Sequence, residues 1–531
     1  IKELSKLQAV INICNDKYHT DITFQNIVQS GLDDPKVYQL LQKGYTQNIF
    51  QFSSKGMTKF LVSMQPDKIE DLIAANALFR PATLDSGSTD KYVDCKLGDA
   101  DPVYLWGTYN AMKNTYGVLC YQEQLAQIAR EVGKFSLGEG VKLVKLISKK
   151  KVDKILALRD KFMAGANENG CPKEDAEAIW HMFEVAGGYL FNKSHATAYA
   201  VTAYAGAYLK ANYPTAFYTI ALQWAKDDEI PTLMSEMELC SEAKIVPPDI
   251  NISGGTFITD YETNKIFWSL SRIKMLGAKA TEWIINERNV RGEFSSIENF
   301  IERIFRYKLK QYKYWDDPDN PKEVTKCPVN ARHVRHLILS GCFDKVENAQ
   351  SVIERYAILE KAAKCLGFEI SEKDIPEDLR NKHYFWSQQQ IAISGIGAID
   401  YKRIYDNSEA KPKIKGKASW ALLKNIQDPD YDGKRVAICA NIVDIEEKKF
   451  KDKKTGENRV FCKLLLQQNN DLVEMVIWND EWMNVRAILC KGGSLSSAKN
   501  KMLICSAQVK YSDYTGGNNL QLYKSSIIDI L

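Results

Sequence analysis

Twelve cysteines stand between Cys14 and Cys505, yet no two form a Cys-x-x-Cys pair and no histidine completes a zinc-ligand spacing with them. Structural zinc sites depend on such clusters, so the thiols are read as reduced and mostly buried in a cytosolic protein. Long apolar runs are missing too. The longest weakly polar stretch, Ala196 to Leu209, is broken by threonines and falls short of the roughly 20 residues a membrane helix needs, so no membrane partner is expected. Walker loops, zincin helices and nucleophile elbows are absent, which removes the simplest nucleotide-hydrolase, metalloprotease and esterase readings. There is no starting Met and no signal-type apolar core. Ile1 opens directly into helix-like sequence, and the numbering is expected to begin inside a longer polypeptide.

At 531 residues the chain exceeds one compact core, and three or more domains are expected. With 45% hydrophobic and 26% charged residues it matches ordinary folding domains, which removes disordered and fibrous classes. The net charge of +4 says little, because 71 basic and 67 acidic residues can be mixed evenly. Their distribution says more. Lysine-rich runs occur at Lys142 to Lys154, Arg306 to Lys313, Lys411 to Lys417 and Lys448 to Lys454. One such run is usually a solvated face; four interleaved with aromatics point to a polyanion.

The opening residues, 1–45, read as one helix around LSKLQAVINIC and another after Asp33-Asp34-Pro35, where acid and proline suit a helix start. Residues 46–245 show apolar spacings of three and four in LAQIAREV, KILALRDKFMAGA and AEAIWHMFEVA, the mark of a large helical domain. At Val246 the pattern changes: KIFWSLSRI alternates like a strand before a helix over Ala278 to Asn289. A helical pair follows to 345, broken by the loop WDDPDNPKEV. Residues 346–430 hold two helical segments and the lysine-rich linker SEAKPKIKGKAS. Over 434–531, five strand-like runs with a helical insert near Trp482 to Leu489 predict a Greek-key barrel of the OB type. Its Trp478, Tyr511, Tyr514 and Tyr523 suit stacking of single-stranded bases, and equally suit a core. The fold class is therefore multidomain and mainly α, ending in a five-stranded β-barrel.

Asn192-Lys193-Ser194-His195 precedes a Tyr- and Ala-rich helix that runs to Tyr213-Pro214. Lysine, hydroxyl and histidine at a helix start suit a phosphate; they also suit a plain helix cap. Four residues alone do not decide. Around them stand Phe50-Gln51-Phe52, Asp71-Leu72-Ile73-Ala74, Ala77-Leu78-Phe79-Arg80-Pro81, Thr115-Tyr116-Gly117-Val118, Tyr121-Gln122-Glu123-Gln124, Phe135-Ser136-Leu137-Gly138-Glu139, Lys149-Lys150-Lys151 and Phe191-Asn192-Lys193-Ser194-His195-Ala196. In this order, over about 180 residues, they resemble the fingers of the bacterial replicative (C-family) DNA polymerases, the DNA polymerase III alpha subunit family.

That resemblance implies template-directed DNA synthesis, with residues 46–245 as fingers and 1–45 as the end of a palm. It implies that Arg80, Lys193, Ser194 and His195 grip the triphosphate of an incoming dNTP, with Lys145 and Lys149 adding charge and the helix end adding donors. Tyr199 would face the sugar or base, or else pack with Tyr204 and Tyr208. An arginine pair common in the family is Val144-Lys145 here, and Arg80-Pro81-Ala82-Thr83-Leu84 departs from the usual loop, which suggests a remote and phage-type member.

Pro247-Pro248-Asp249-Ile250-Asn251 and Ile273-Lys274-Met275-Leu276-Gly277-Ala278-Lys279-Ala280 resemble the family's helix-hairpin-helix region, so 246–345 is expected to hold primer–template DNA through Lys274, Gly277 and Lys279. Met275 replaces the first hairpin glycine and puts the close backbone approach in question.

Palm aspartates holding Mg2+ are expected before Ile1 or on a separate palm-bearing chain, with no catalytic residue or metal ligand in this chain, which alone would be inactive. Asp428, Asp430 and Asp432 imitate a calcium loop, but its twelfth position is Cys439, so they read as a turn. Gln388-Gln389-Gln390-Ile391 is a faint candidate for a sliding-clamp contact. Two other classes remain: a non-catalytic DNA-binding or scaffold protein derived from a polymerase, and a single-strand-binding barrel on an unrelated helical body.

Overall fold

The structure is a computed structural model that describes residues 2–148, 152–186, 189–305, 327–397, 401–406, 408–414, 416–451, 457–468, 471–490, 493–499, 501–512, 517–522 and 528–530. Two compact units emerge: Ile1–Trp224 with Glu236–Ala243, and Ala225–Ser235 with Lys244–Leu531.

The first unit is helical. Its opening helix, Lys2–Lys17, buries Leu7, Val10, Ile11 and Cys14, one stripe at three- and four-residue spacing. Helix Pro35–Gln42 starts where acid and proline predicted: the Asp34 carboxylate accepts from the Lys36 amide at 2.9 Å. At the centre lies helix Lys193–Asn212, whose buried Ala196, Ala200, Ala203 and Ala207 form a stripe of small side chains. It packs against helix Ile69–Leu78, which contributes buried Ala74, Ala75 and Ala77. Small residues on both sides let the backbones approach closely. Tyr204 is structural: its hydroxyl accepts from the Asp34 amide at 2.9 Å. A second core, with Leu125, Phe135, Leu143, Phe162, Trp180 and Phe183, joins helices Gln122–Glu131, Leu137–Ser148, Val152–Glu168 and Lys173–Ala186.

The second unit opens with a small sheet of β1 (Lys244–Val246), β2 (Ile258–Asp260) and β3 (Lys265–Phe267), in the order β1-β3-β2. The strand predicted through Ile273 ends at Phe267, because Ser269 accepts from the Ser271 amide at 3.2 Å and turns the chain into a 3-10 segment, Leu270–Arg272. Helix Ala278–Arg291 follows, and Trp283, Phe300, Leu337, Phe343 and Trp386 build one core with the later helices. The expected linker is instead packed. Within it lie helix Ala410–Ile414 and β4 (Ser419–Trp420), with Tyr405 stacked on Trp420 at 4.9 Å and Ile414 buried against the barrel. Apolar burial overrode its turn-rich composition. The loop WDDPDNPKEV lies outside the described residues.

The C-terminal barrel is closed and of OB type. Strands β5 (Arg435–Lys451), β6 (Asn458–Gln468), β7 (Asp471–Ile477), β8 (Met502–Ser512) and β9 (Gly517–Leu522) pair in the circuit β5-β6-β7-β9-β8-β5. Only β7 and β9 run parallel within it. Helix Asn479–Cys490 stands between β7 and β8 and buries Trp482, whose indole N–H donates to Glu447 at 2.7 Å. Of the last predicted strand, the described residues fall in β9 and β10 (Ile528–Ile530).

Candidate nucleotide and DNA interfaces

Helix Ile69–Leu78 stops at Phe79, and Arg80 turns to extended backbone (φ −148°, ψ 151°) ahead of Pro81. The Arg80 guanidinium donates through Nε to the Ala77 carbonyl at 2.8 Å and through Nη2 to the Tyr189 carbonyl at 2.5 Å, and lies over the Phe191 ring at 4.5 Å. Phe191 is held by a two-residue β-bridge to Tyr121: its amide donates to the Cys120 carbonyl, and its carbonyl accepts from the Gln122 amide, both at 2.9 Å. Lys193 Nζ stands 5.5 Å from the Tyr121 ring, and His195 lies 5.6 Å from Phe191 and 4.1 Å from Tyr199. Tyr199 in turn meets Phe50 edge-on at 5.0 Å. An aromatic floor of Tyr121 and Phe191 thus gathers Arg80, Lys193 and His195, and Tyr199 packs on His195.

Like Arg288, which donates to the Ile250 and Ser253 carbonyls, the cations of this cluster differ from the ion-paired ones elsewhere. Lys96 is paired with Asp67 and Asp71, Lys210 with Glu236, Arg303 with Glu287, and Arg355 with Asp344. Among the described residues, neither the Arg80 guanidinium nor the Lys193 ammonium has a carboxylate partner; carbonyl oxygens and aromatic faces are what they touch. Burial draws the Arg80 pKa below the ordinary arginine value, although arginine stays charged in proteins. Buried Cys120 is pushed up to about 12 by desolvation, which nearby Lys193 and Arg80 partly offset. Half-buried cations that are not ion-paired make a place where an anion gains more than at an open surface, although the Glu123 carboxylate lies at the same helix start.

The helix start differs from expectation. Asn192 caps it, its Oδ1 accepting from the His195 amide at 2.9 Å and from the Ser194 hydroxyl at 2.6 Å. Glu123 closes it further, accepting from the Lys193 amide at 2.9 Å and from Asn192 Nδ2 at 3.2 Å. The expected backbone donors of Lys193 and His195 are therefore already used, and so is the Ser194 hydroxyl. Side-chain charge, with the Ser194 amide as the first-turn donor left over, is what this site offers an anion. Lys145 is not drawn into the cluster: it is exposed on helix Leu137–Ser148, and its neighbour Val144 lines a cleft of about 340 Å³ beside Glu123 and Asn192. Lys149 lies outside the described residues.

The hairpin over Ile273–Ala280 buries Ile273, Leu276 and Ala280 and exposes Lys274, Met275, Gly277, Ala278 and Lys279. Met275 does not break it. The residue adopts the left-handed torsion, φ +70°, that a glycine would take at no cost. Gly277 caps helix Ala278–Arg291 with no side-chain hydrogen bond, and a Cβ placed there would meet nothing within 4 Å. The first-turn amides of Ala278 and Lys279 have no intrahelical acceptor by helix geometry.

On the barrel, Trp478 is 44% and Tyr511 57% exposed. Trp478 belongs to an aromatic group that sequence reasoning missed: its ring centroid is 5.2 Å from Phe461 and 5.7 Å from Phe450, which are themselves 5.8 Å apart. Phe450 and Phe461 are far apart in the chain, and only the β5–β6 register sets them side by side. Tyr514 and Tyr523 lie outside the described residues.

Residues 3–170 match the bacterial DNA polymerase III alpha subunit finger domain, and residues 242–314 match a helix-hairpin-helix motif. DNA polymerase III subunit alpha of Aquifex aeolicus is 34% identical over 365 residues, covering 68% of this chain and 29% of that protein. The Escherichia coli K12 subunit is 28% identical over 528 residues, covering 95% of this chain and 42% of its own length. The chain is of the DNA polymerase III alpha type. It spans well under half the length of these relatives.

In this polymerase III alpha-type chain, no group of three or more His, Cys, Asp or Glu among the described residues is placed to hold a metal ion. The acids that imitate a calcium loop are committed to turns: Asp428 accepts from the Asp430 amide and Asp432 from the Tyr511 amide, both at 2.9 Å. The described donor set does not fit a divalent metal. Gln388 to Ile391 is not an extended peptide; it lies in helix His383–Ser394, where Gln390 is buried and accepts from Arg355 at 3.0 Å. Among the described residues no helix is long and apolar enough to cross a membrane.

Proposed function

We propose that this chain acts in template-directed DNA synthesis, gripping the triphosphate of an incoming dNTP and holding primer–template DNA. One observation carries the reading: Arg80 over Phe191 and Lys193 beside Tyr121 are two cations without carboxylate partners, and His195 borders the same Phe191 ring. Phosphoryl transfer needs the phosphate charge clamped and the nucleotide held in line, and positioned cations in a partly dry site supply that clamp. His195 offers a further donor, and Tyr199, stacked beside it, offers a face for sugar or base.

The hairpin with Lys274, Gly277 and Lys279 would hold duplex phosphates without reading sequence, and the barrel would bind the single strand through Trp478 and Tyr511. Residues 1–45, 46–245, 246–345, 346–430 and 434–531 then serve as palm end, fingers, duplex-binding region, connector and single-strand-binding barrel. Mg2+ would be held by aspartates outside the described residues, on another part of the polypeptide or a separate palm-bearing chain. A sliding clamp and a cytoplasmic, phage-type setting belong to the same proposal.

The test is primer extension by this chain together with the aspartate-bearing polypeptide. Lys193→Ala and Arg80→Ala should each depress dNTP incorporation and leave DNA affinity nearly intact. If neither nucleotide use nor DNA affinity changes, the assignment of the fingers is wrong.

A further inference from the structure

Met275 is an L-residue in the left-handed region, and it is 54% exposed, so no side-chain burial compensates the unfavourable torsion. Flanking hydrogen bonds to other helices hold the turn. The Lys274 amide donates to the Ile393 carbonyl at 2.8 Å, near the end of helix His383–Ser394. The Lys274 carbonyl meets His336 Nδ1 at 2.6 Å; because a carbonyl only accepts, Nδ1 carries the proton. His333, one turn earlier on helix Ala331–Leu339, reaches the Met275 backbone. The Asn330 amide donates to its Nδ1 at 3.3 Å, which leaves Nε2 to face the hairpin.

We infer that His336, seconded by His333, is a positioning residue for duplex DNA: it holds the Met275 turn in the shape that presents the Ala278 and Lys279 amides to a DNA phosphate. The two histidines do from outside the hairpin what a glycine would do from within it. They lie beyond the segment that matches the helix-hairpin-helix motif. The inference rests on the proposed role of the hairpin as a duplex-binding element, so its test must separate the two.

The measurement is equilibrium binding of the full chain to a duplex oligonucleotide of arbitrary sequence at fixed salt. His336→Ala should weaken binding roughly fivefold, the scale of a freed left-handed turn. Adding Met275→Gly to that variant should restore affinity to within about twofold of the parent, because glycine takes the torsion unaided. Gly277→Asp, which sets a carboxylate at the bare helix start, serves as the control on the hairpin itself. If Gly277→Asp weakens binding and His336→Ala does not, the histidine role is overturned and the hairpin role stands. If His336→Ala weakens binding and Met275→Gly fails to restore it, the positioning role is likewise overturned. If Gly277→Asp has no effect, the hairpin is not the phosphate site and both readings fail.

Discussion

Two helix starts in this protein are built in opposite ways. At Lys193 the first turn is largely closed by Asn192 and by Glu123 reaching across from another helix, so the Lys193 and His195 amides are spent and side chains carry most of the positive charge. At Ala278 the cap is Gly277, which has no side chain, and the amides stay bare beneath exposed lysines. The contrast suits the two tasks proposed above. A triphosphate that must be placed to within a fraction of an ångström is better held by cations fixed on an aromatic floor. A duplex that must slide is better held by amides that meet any phosphate alike.

The strongest way to break the comparison is to remove the charge at the first start. Lys193→Ala should lower dNTP incorporation by about 100-fold in primer extension, the usual scale for losing one group that stabilises transition-state charge, with duplex affinity unchanged. Equal losses in both would mean that the two starts are not specialised. Next in size is the barrel, which uses neither device. Trp478→Ala should cost roughly tenfold in affinity for a single-stranded oligonucleotide, as loss of one stacked base would, and spare duplex binding.

Converting the second start into something like the first is a sharper test. Gly277→Asp fits without steric contact, and the added carboxylate should reduce duplex affinity about fivefold while leaving nucleotide use alone. The smallest effect is on stability. Asn192→Ala removes a side-chain cap and should cost about 1 kcal/mol, whereas Gly277→Ala breaks no cap bond, at a torsion alanine can take, and should cost less, both read as shifts in denaturant midpoint. If the two substitutions cost the same, the Asn192 bonds do not stabilise the helix.

Much of the fold was legible because it is written in local periodicity. The Leu7, Val10, Ile11 and Cys14 stripe, the Asp34-Pro35 helix start and the alternation of Cys462, Leu464 and Leu466 in β6 all follow from nearest neighbours along the chain. Arg80, Lys193, His195 and Trp478 could also be named from sequence as candidates, and the structure sets the first three around Tyr121 and Phe191 and Trp478 beside Phe450 and Phe461. What misled was position within a context: Lys145 reads as a nucleotide-facing charge until helix Leu137–Ser148 turns Val144 inward, and SEAKPKIKGKAS reads as a linker until Ile414 finds the barrel. Phe450 and Phe461 carried no signal, since neither segment looks special until a strand pairing joins them.

By itself the sequence determined most of the helices and barrel strands, where their apolar stripes fall, and which residues bear charge at the two helix starts. All of these depend on residues a few positions apart. Tertiary structure alone decided that Glu123 would spend the Lys193 amide, that Arg80 would reach Phe191 across more than a hundred residues, and that His336 would support the turn at Met275. Hydrogen bonds and ion pairs fall off within a few ångströms, so their partners are set by how helices pack and not by spacing along the chain.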